Sequence, residues 1–407
     1  MKKLVCIFLG TLLYGDVKFE ELVTKAINYH PSIKMSEEAY KMSEEELNSA
    51  MWQYFPTPSV NYSNSSRNNE VIARLEQPLW TGGKISSGYD LALSSKSEAG
   101  FTLEENKFKL VEKILDLLQM YSQGRSSELS LVEGYDRLSK FSEMIDRRVD
   151  AGVSSEGDKI LLNARLIQIR TELVNAKSKQ TLALKQMSLL TGEKIENIDF
   201  NLNKFNFEKT ELNSLIDDMI KTHPTLSKMD EQLKGSLYKV DKEEANLYPT
   251  ISAVAEHKSG DIYEESTNTK DNLVYISLKA TTGAGLSLFS NVEKSKLNTK
   301  RIKSEKDSRE KELIDGLVMD YNNMLLAKDR LENLKENQKW SYEVFESNKR
   351  LFLAGKKQWL DLVNSSKELM DVSVSYRESK ELYNILRYKI ALKTGIININ
   401  NGESQKL

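Results

Sequence analysis

The chain has 407 residues, of which 58 are basic and 60 acidic, for a formal net charge of −2. That balance argues against nucleic acid as the main partner, since phosphate binding needs a basic excess or patch. With 29% charged residues, the chain is not a bundle of membrane-spanning helices either.

Residues 1–15 carry Lys2 and Lys3, then the apolar run LVCIFLGTLL, then Tyr14 and Gly15. This is the layout of a secretory signal peptide with cleavage near Gly15; a buried N-terminal strand is the alternative. Cys6 is the only cysteine and lies in this segment. Its removal would leave a mature chain without disulfides or cysteine-based metal sites.

Beyond it the chain is written twice. LVTKAINYHP at 22–31 meets LIDDMIKTHP at 215–224, an offset of 193 that also joins the prolines Pro56 and Pro249. The second copy then carries extra residues and the offset becomes 203, joining Gly82 to Gly285, Ala151-Gly152 to Ala354-Gly355, Asp158 to Asp361 and Thr191-Gly192 to Thr394-Gly395. We read residues 16–198 and 210–396 as two structural repeats, 199–209 as a connector with a small strand, and 397–407 as a C-terminal tail.

Each repeat opens with a helix that contains a His-Pro step, His30-Pro31 and His223-Pro224. Two histidines related by duplication are not a metal motif; a helix-start role fits them better. A β-hairpin follows, over 57–80 in the first copy and 250–283 in the second. In VIARLEQPLW, Val71, Ala73, Leu75 and Leu79 alternate with Arg74 and Glu76, the pattern of a strand with one apolar face. Pro78, Trp80, Gly82 and Gly83 then make a join that Gly285 marks in the second copy. No GxxxxGK[ST] spacing is present there, so the glycines serve a turn rather than a phosphate cradle.

From residue 84 to about 148, and from 286 to about 352, there is no proline. Leu110, Ile114, Leu117 and Tyr121 keep one helical face. A helix of roughly 65 residues would be about 100 Å long, more than one globular core requires and suited to a coiled coil or helical tube. The breaks DAGVSSEGD and FLAGKKQWLD precede a second helix in each copy, giving long antiparallel hairpins. Four strands cannot close a barrel, and an open apolar edge is not tolerated in lipid. Three chains of four strands would close twelve.

These residues resemble the TolC family of trimeric outer-membrane export channels. The duplication, the EQPLWTGGK join, the doubled AG-x5-D tips and the closing TG carry the resemblance across the whole mature chain. It implies a mainly α fold with a small β part. Tandem-duplicated helical hairpins would form an α-barrel, and four strands per chain would contribute to a twelve-stranded trimeric β-barrel. It implies a place in the cell outer membrane, in contact with its lipid and with a long periplasmic portion. The implied partners are two further copies of the chain, a periplasmic adaptor (membrane fusion) protein, and an inner-membrane ABC transporter or proton-driven pump. No cofactor, metal or catalytic residue is implied, and no Walker A, HExxH or nucleophile-elbow sequence occurs. The tip LAGKKQWLDLVNSSKEL most resembles members serving type I secretion of large adhesins. Drug or metal efflux is the alternative, and a periplasmic coiled-coil scaffold without a pore is the alternative of another class.

On matched positions, the resemblance implies a pore gate. Asp361 would be the pore-ring carboxylate, and Asp158 and Lys357 would sit where a constraining charge pair is found. Asn364 replaces the second ring acid. The same carboxylates are also helix-start residues that favour the helix dipole. Arg147, Arg148, Gly152, Arg350 and Gly355 would form tips that contact the adaptor; the plain reading is glycine turns with arginine at helix C-termini. Trp359 packs in the hairpin or marks a docking groove, core packing being the plainer reading. Trp80, Tyr62, Tyr89 and Tyr275 lie near strand ends, as an interfacial aromatic girdle or as packing at the join.

Overall fold

The computed structural model describes residues 17–65, 68–199, 211–262, 269–281, 283 and 285–397. The expected signal peptide with Cys6, the connector beyond Asp199 and the tail beyond 397 lie outside these residues. The elements run β1 (Val17–Lys18), α1 (Phe19–Tyr29), α2 (Pro31–Trp52), β2 (Thr57–Ser65), β3 (Asn68–Trp80), α3 (Lys84–Ser139), α4 (Ser142–Asp150), α5 (Glu156–Thr191) and β4 (Ile198–Asp199). Then follow α6 (Leu212–Thr222), α7 (Pro224–Ala245), β5 (Thr250–Ile262), β6 (Thr269–Lys279), α8 (Ser287–Leu353) and α9 (Trp359–Lys393).

Each copy opens on two helices, because the His-Pro step divides them. Pro224 takes the first position of α7, where its missing N–H costs nothing. His223 caps that helix, its Nδ1 accepting from the Thr225 N–H at 3.3 Å. β4 pairs in parallel with β1 at Val17 and Ile198, while the expected connector strand beyond Asp199 lies outside the described residues.

One long helix departs from expectation. α3 stops at Ser139 and α4 restarts at Ser142, whereas α8 continues unbroken for 67 residues. The Phe141 N–H donates to Leu138 O at 3.0 Å, a tighter turn than the α-helix makes. The turn seats the Phe141 ring inside, 5.8 Å from the Trp359 ring. Its repeat counterpart, Val344, is exposed and asks for no such turn.

The chain forms two compact units. One comprises Met1–Pro31, Lys107–Met219 and Asp315–Leu407; the other comprises Ser32–Asn106 and Ile220–Ile314. In the first, α3, α4, α5, α8 and α9 share an apolar core that includes Leu138, Phe141, Ile145, Leu162, Phe345, Phe352, Trp359 and Leu362. At its other end Tyr121 donates to Asn197 Oδ1 at 2.6 Å, and the Phe19 and Tyr388 rings meet edge-on at 5.1 Å.

In the second unit, α2 and α7 pack on α3. Asn106 donates to Ser36 Oγ at 2.7 Å, and Gln232 donates to Glu98 at 2.6 Å. The sheet there is antiparallel throughout, in the order β2-β3-β5-β6. Registers such as Tyr62 with Val71 and Ala255 with Val274 place Val60, Tyr62, Val71, Leu75, Val274, Ile276 and Leu278 on one face. All seven are exposed. The other face carries Arg74, Glu76, Glu256 and Tyr275. Arg74 lies 3.2 Å from Glu76 and 3.6 Å from Glu256, and the Tyr275 hydroxyl donates to Glu256 at 2.9 Å. Among the described residues, β2 and β6 each have one sheet neighbour.

Candidate functional site

The hairpin tips of the first unit end in two matching turns. Gly152 has φ +68° and Gly355 φ +69°. Val153 N–H donates to Arg148 O at 2.8 Å and Gly152 N–H to Val149 O at 2.9 Å; Lys356 N–H donates to Leu351 O at 2.8 Å and Gly355 N–H to Phe352 O at 3.0 Å. Both are Schellman closures, which need a left-handed residue after the helix. A Cβ at either glycine would meet nothing within 4 Å, so the backbone angle rather than space demands glycine.

The arginines lie where the sequence puts them, and their contacts differ. Arg147 Nε donates back to Glu143 O at 3.2 Å. Arg148 Nε donates to Ser154 Oγ at 3.2 Å, and its guanidinium lies 4.9 Å from the centre of the Phe352 ring, tying the first tip to the second. Arg350 is exposed in the last turn of α8. Trp359 is buried against Phe352 at 5.4 Å and Phe141, so it belongs to the core and not to an open groove.

The carboxylates divide. Asp158 closes a capping box: Ser155 N–H donates to its Oδ2 at 3.1 Å, while Asp158 N–H donates to Ser155 Oγ at 3.2 Å. Lys357 reaches Asp361, with Nζ 3.7 Å from Oδ2. Within one chain, therefore, Lys357 makes a one-turn pair with Asp361. The cap at Ser155 turns Asp158 back onto its own helix. Asn364 is exposed one turn beyond Asp361. A second link joins α4 to α5: Lys159 lies 3.0 Å from Asp146, whose hydrogen bond holds the lysine above its ordinary pKa.

In the second unit, the join after β3 is explained by a bulge. The register shifts between Pro78 and Trp80, setting Trp80 opposite Ile251. Without that shift Trp80 would point to the charged face; the bulge turns it to the apolar one. Gly82 (φ +63°) and Gly83 (φ +93°) then turn the chain into α3, and Gly283 (φ +71°) and Gly285 (φ +62°) repeat this before α8. A Cβ on Gly82 would fall 2.7 Å from Tyr248 Cβ. The Tyr248 ring also meets Trp80 edge-on at 6.2 Å. Of the expected aromatics, Trp80 and Tyr62 share the apolar face. Tyr275 lies on the charged face, and Tyr89 packs from α3 against Tyr54 with ring centres 6.3 Å apart.

Sequence reasoning missed the apolar edges of α5 and α8 in the first unit. Leu162, Ile169, Ala176 and Ala183 are buried at seven-residue spacing on α5; Ile160, Ile167 and Val174, two residues earlier in each heptad, are 63%, 62% and 67% exposed. On α8, Leu317, Met324, Phe345 and Phe352 are buried in heptad register, while Met319, Leu326 and Trp340 are 57%, 65% and 57% exposed. Two residues make about 200° of helix turn, so each helix has apolar stripes on opposite sides. Plain i to i+7 counting would have found them.

Among the described residues, no helix is long and apolar enough to cross a membrane, and no group of three His, Cys, Asp or Glu side chains could hold a metal. Residues 215–380 match the model of the family described as outer membrane efflux protein. No curated protein matches the sequence at a significant level. Among solved structures, the chain is similar to a membrane protein from Pseudomonas aeruginosa, at 12% identity and TM-score 0.81, with 92% of this chain and 90% of that one covered. It is similar to the outer membrane protein VceC from Vibrio cholerae, at 12% identity and TM-score 0.79, covering 93% and 96%. It is also similar to the Campylobacter jejuni CmeC outer membrane channel, at 14% identity and TM-score 0.76, covering 93% and 85%. The chain shares the protomer fold of these solved outer-membrane channels, and the part of it over residues 215–380 is similar to the outer membrane efflux protein family.

Proposed function

We propose that three copies of this chain form an outer-membrane exit duct that passively conducts substrate delivered by an inner-membrane pump through a periplasmic adaptor. The free apolar stripes on α5 and α8 carry the reading. A second copy is the occupant that suits both, and the chain's own α3–α9 seam supplies the template. There Ser127 donates to Glu378 at 2.7 Å. Shifted by the repeat of 203 residues, this pair becomes Arg330 opposite Asn175. Stepping along antiparallel helices from that point brings Trp340 within a turn of Ile167, and Leu326 within a turn of Leu182. Three such contacts close a ring, and three four-stranded sheets with free outer edges close twelve strands.

The cargo reading is type I secretion of a large adhesin, supported by the likeness of the tip LAGKKQWLDLVNSSKEL. Drug or metal efflux is the second reading, favoured by the description of the matched family. Asp361 serves as the pore-ring carboxylate, with Asn364 leaving the ring at one acid per chain, and Asp158 and Lys357 bracing the tips between chains. The tips themselves, Arg147, Arg148, Gly152, Arg350 and Gly355, meet the adaptor.

The assembly is tested by oxidising the doubly substituted Ile167→Cys, Trp340→Cys chain in a Cys6→Ser background. Disulfide-linked dimers and trimers are expected from the double variant and from neither single one; monomers throughout would sink the reading. In planar bilayers Asp361→Ala should alter cation conductance or reduce block by multivalent cations. Unchanged traces in both measurements would remove Asp361 from the pore.

A further inference from the structure

The α3–α9 seam carries a pair of arginines that the duct does not require. Arg377 of α9 donates through Nη2 to Glu133 of α3 at 2.6 Å. Arg137 stands one turn beyond Glu133 on the same helix. Its Nε and Nη2, and Nη1 of Arg377, are buried and meet no hydrogen-bond acceptor. Burial holds the Arg137 guanidinium below its ordinary value, Glu133 opposes that, and Arg377 adds to it, with Tyr342 of α8 as the remaining titratable neighbour. Two guanidiniums thus lie beside one carboxylate, and three of their buried N–H donors stand without an acceptor.

The duplication makes the arrangement more telling. The repeat counterparts of Arg137 and Arg377 are Trp340 and Val174, both apolar and both on the open stripes. Positions that are apolar and exposed in one copy are arginines in the other. Packing alone would not favour that exchange, because a buried donor without an acceptor is costly. A planar fork of donors matches an oxyanion.

We propose that Arg137 and Arg377 bind a small dianionic oxyanion of the phosphate or sulfate type, once per chain. The ion takes the free N–H groups of both arginines and offsets their mutual repulsion, while Glu133 limits the affinity. The site lies within one chain, so it stands or falls independently of the duct and of its cargo.

The test uses the purified full chain in detergent. Thermal unfolding is followed against inorganic phosphate, and separately sulfate, at low millimolar concentration, with chloride matching the ionic strength. A saturable rise in Tm is expected for the wild type, as for any ligand that binds only the folded state. Arg137→Gln and Arg377→Gln should lose it. Arg137→Lys, which keeps the charge without the fork, should weaken it. Glu133→Gln should tighten binding several-fold, an effect that a merely structural salt bridge would not give. An equal rise in the wild type and both glutamine variants, reflecting only a general salt effect, would overturn the site. So would no rise in the wild type, or a Glu133→Gln chain that binds no more tightly.

Discussion

Two sides of the helices in the first unit differ in content. Between α3 and α9 the polar contacts are made within one chain: Ser127 with Glu378, Glu133 with Arg377, Asp116 with Lys389. Along the outer sides of α5 and α8, Ile167, Val174, Leu326 and Trp340 are all exposed, and of these Val174 is the repeat counterpart of Arg377. Charged pairs tolerate water during folding and add register more than energy. An apolar stripe gains only when something covers it. The difference separates contacts made inside one chain from apolar positions that the chain itself leaves uncovered.

The largest expected effect breaks the open side. Ile167→Asp places a charge in the middle of the uncovered stripe. We expect the oligomer to disperse in size-exclusion chromatography while circular dichroism keeps the helical signal; an intact oligomer would move the interface elsewhere. Next comes a closed seam. A Cβ at Gly124 of α3 would lie 2.8 Å from Ala176 O and 3.2 Å from Gln180 N of α5, both backbone atoms. Gly124→Ala should therefore destabilise the folded chain by about 1–3 kcal/mol in thermal or denaturant unfolding, against the usual gain from replacing a helical glycine.

A smaller loss is expected at the tip. Ser155→Ala removes one arm of the capping box and should cost about 1 kcal/mol. It also frees Asp158, so the same variant sharpens what that carboxylate does: an intermolecular role would survive the loss of the cap, and a purely local one would not. Channel conductance beside the unfolding curve separates the two.

The smallest effect lies in the polar seam. Glu112 is held above its ordinary pKa chiefly by burial, with Lys393 lowering it and Asp116 raising it. The folded state therefore holds this proton more tightly than the unfolded one. Its ionised form costs stability at neutral pH, and that cost fades as pH falls through the raised value into the ordinary glutamate range, about 4.3. Glu112→Gln should raise Tm at pH 7 by roughly a degree or two, with the gain vanishing near pH 4. A gain that persists in acid would assign it to packing instead.

Much of this architecture is legible in the residues alone. The doubled landmarks locate both hairpins, both tips and both joins, because proline and glycine act through backbone geometry that neighbours do little to override. Side-chain partnerships are another matter. The capture of Asp158 by Ser155, and of Lys357 by Asp361, turns on competition among groups a few ångströms apart. The inward Phe141 needs Trp359, 218 positions away in the chain, to explain why α3 breaks. The bulge that re-aims Trp80 depends on β5, a strand from the other repeat. As for the stripes on α5, spacing reveals two of them, but only burial tells which one the chain itself covers.

That double stripe on α5 also bears on how the protein can change over generations. A helix with one packed side leaves most of each heptad free to vary. Here Leu162, Ile169 and Ala176 are committed on one side, and Ile160, Ile167 and Val174 would be committed on the other. The tolerant positions shrink to two narrow bands between the stripes, such as Arg165 and Glu172. Adaptation to a new cargo or a new adaptor would have to be written in those bands or in the tips. Chains of this fold can then be as little as 8% identical to this one in sequence.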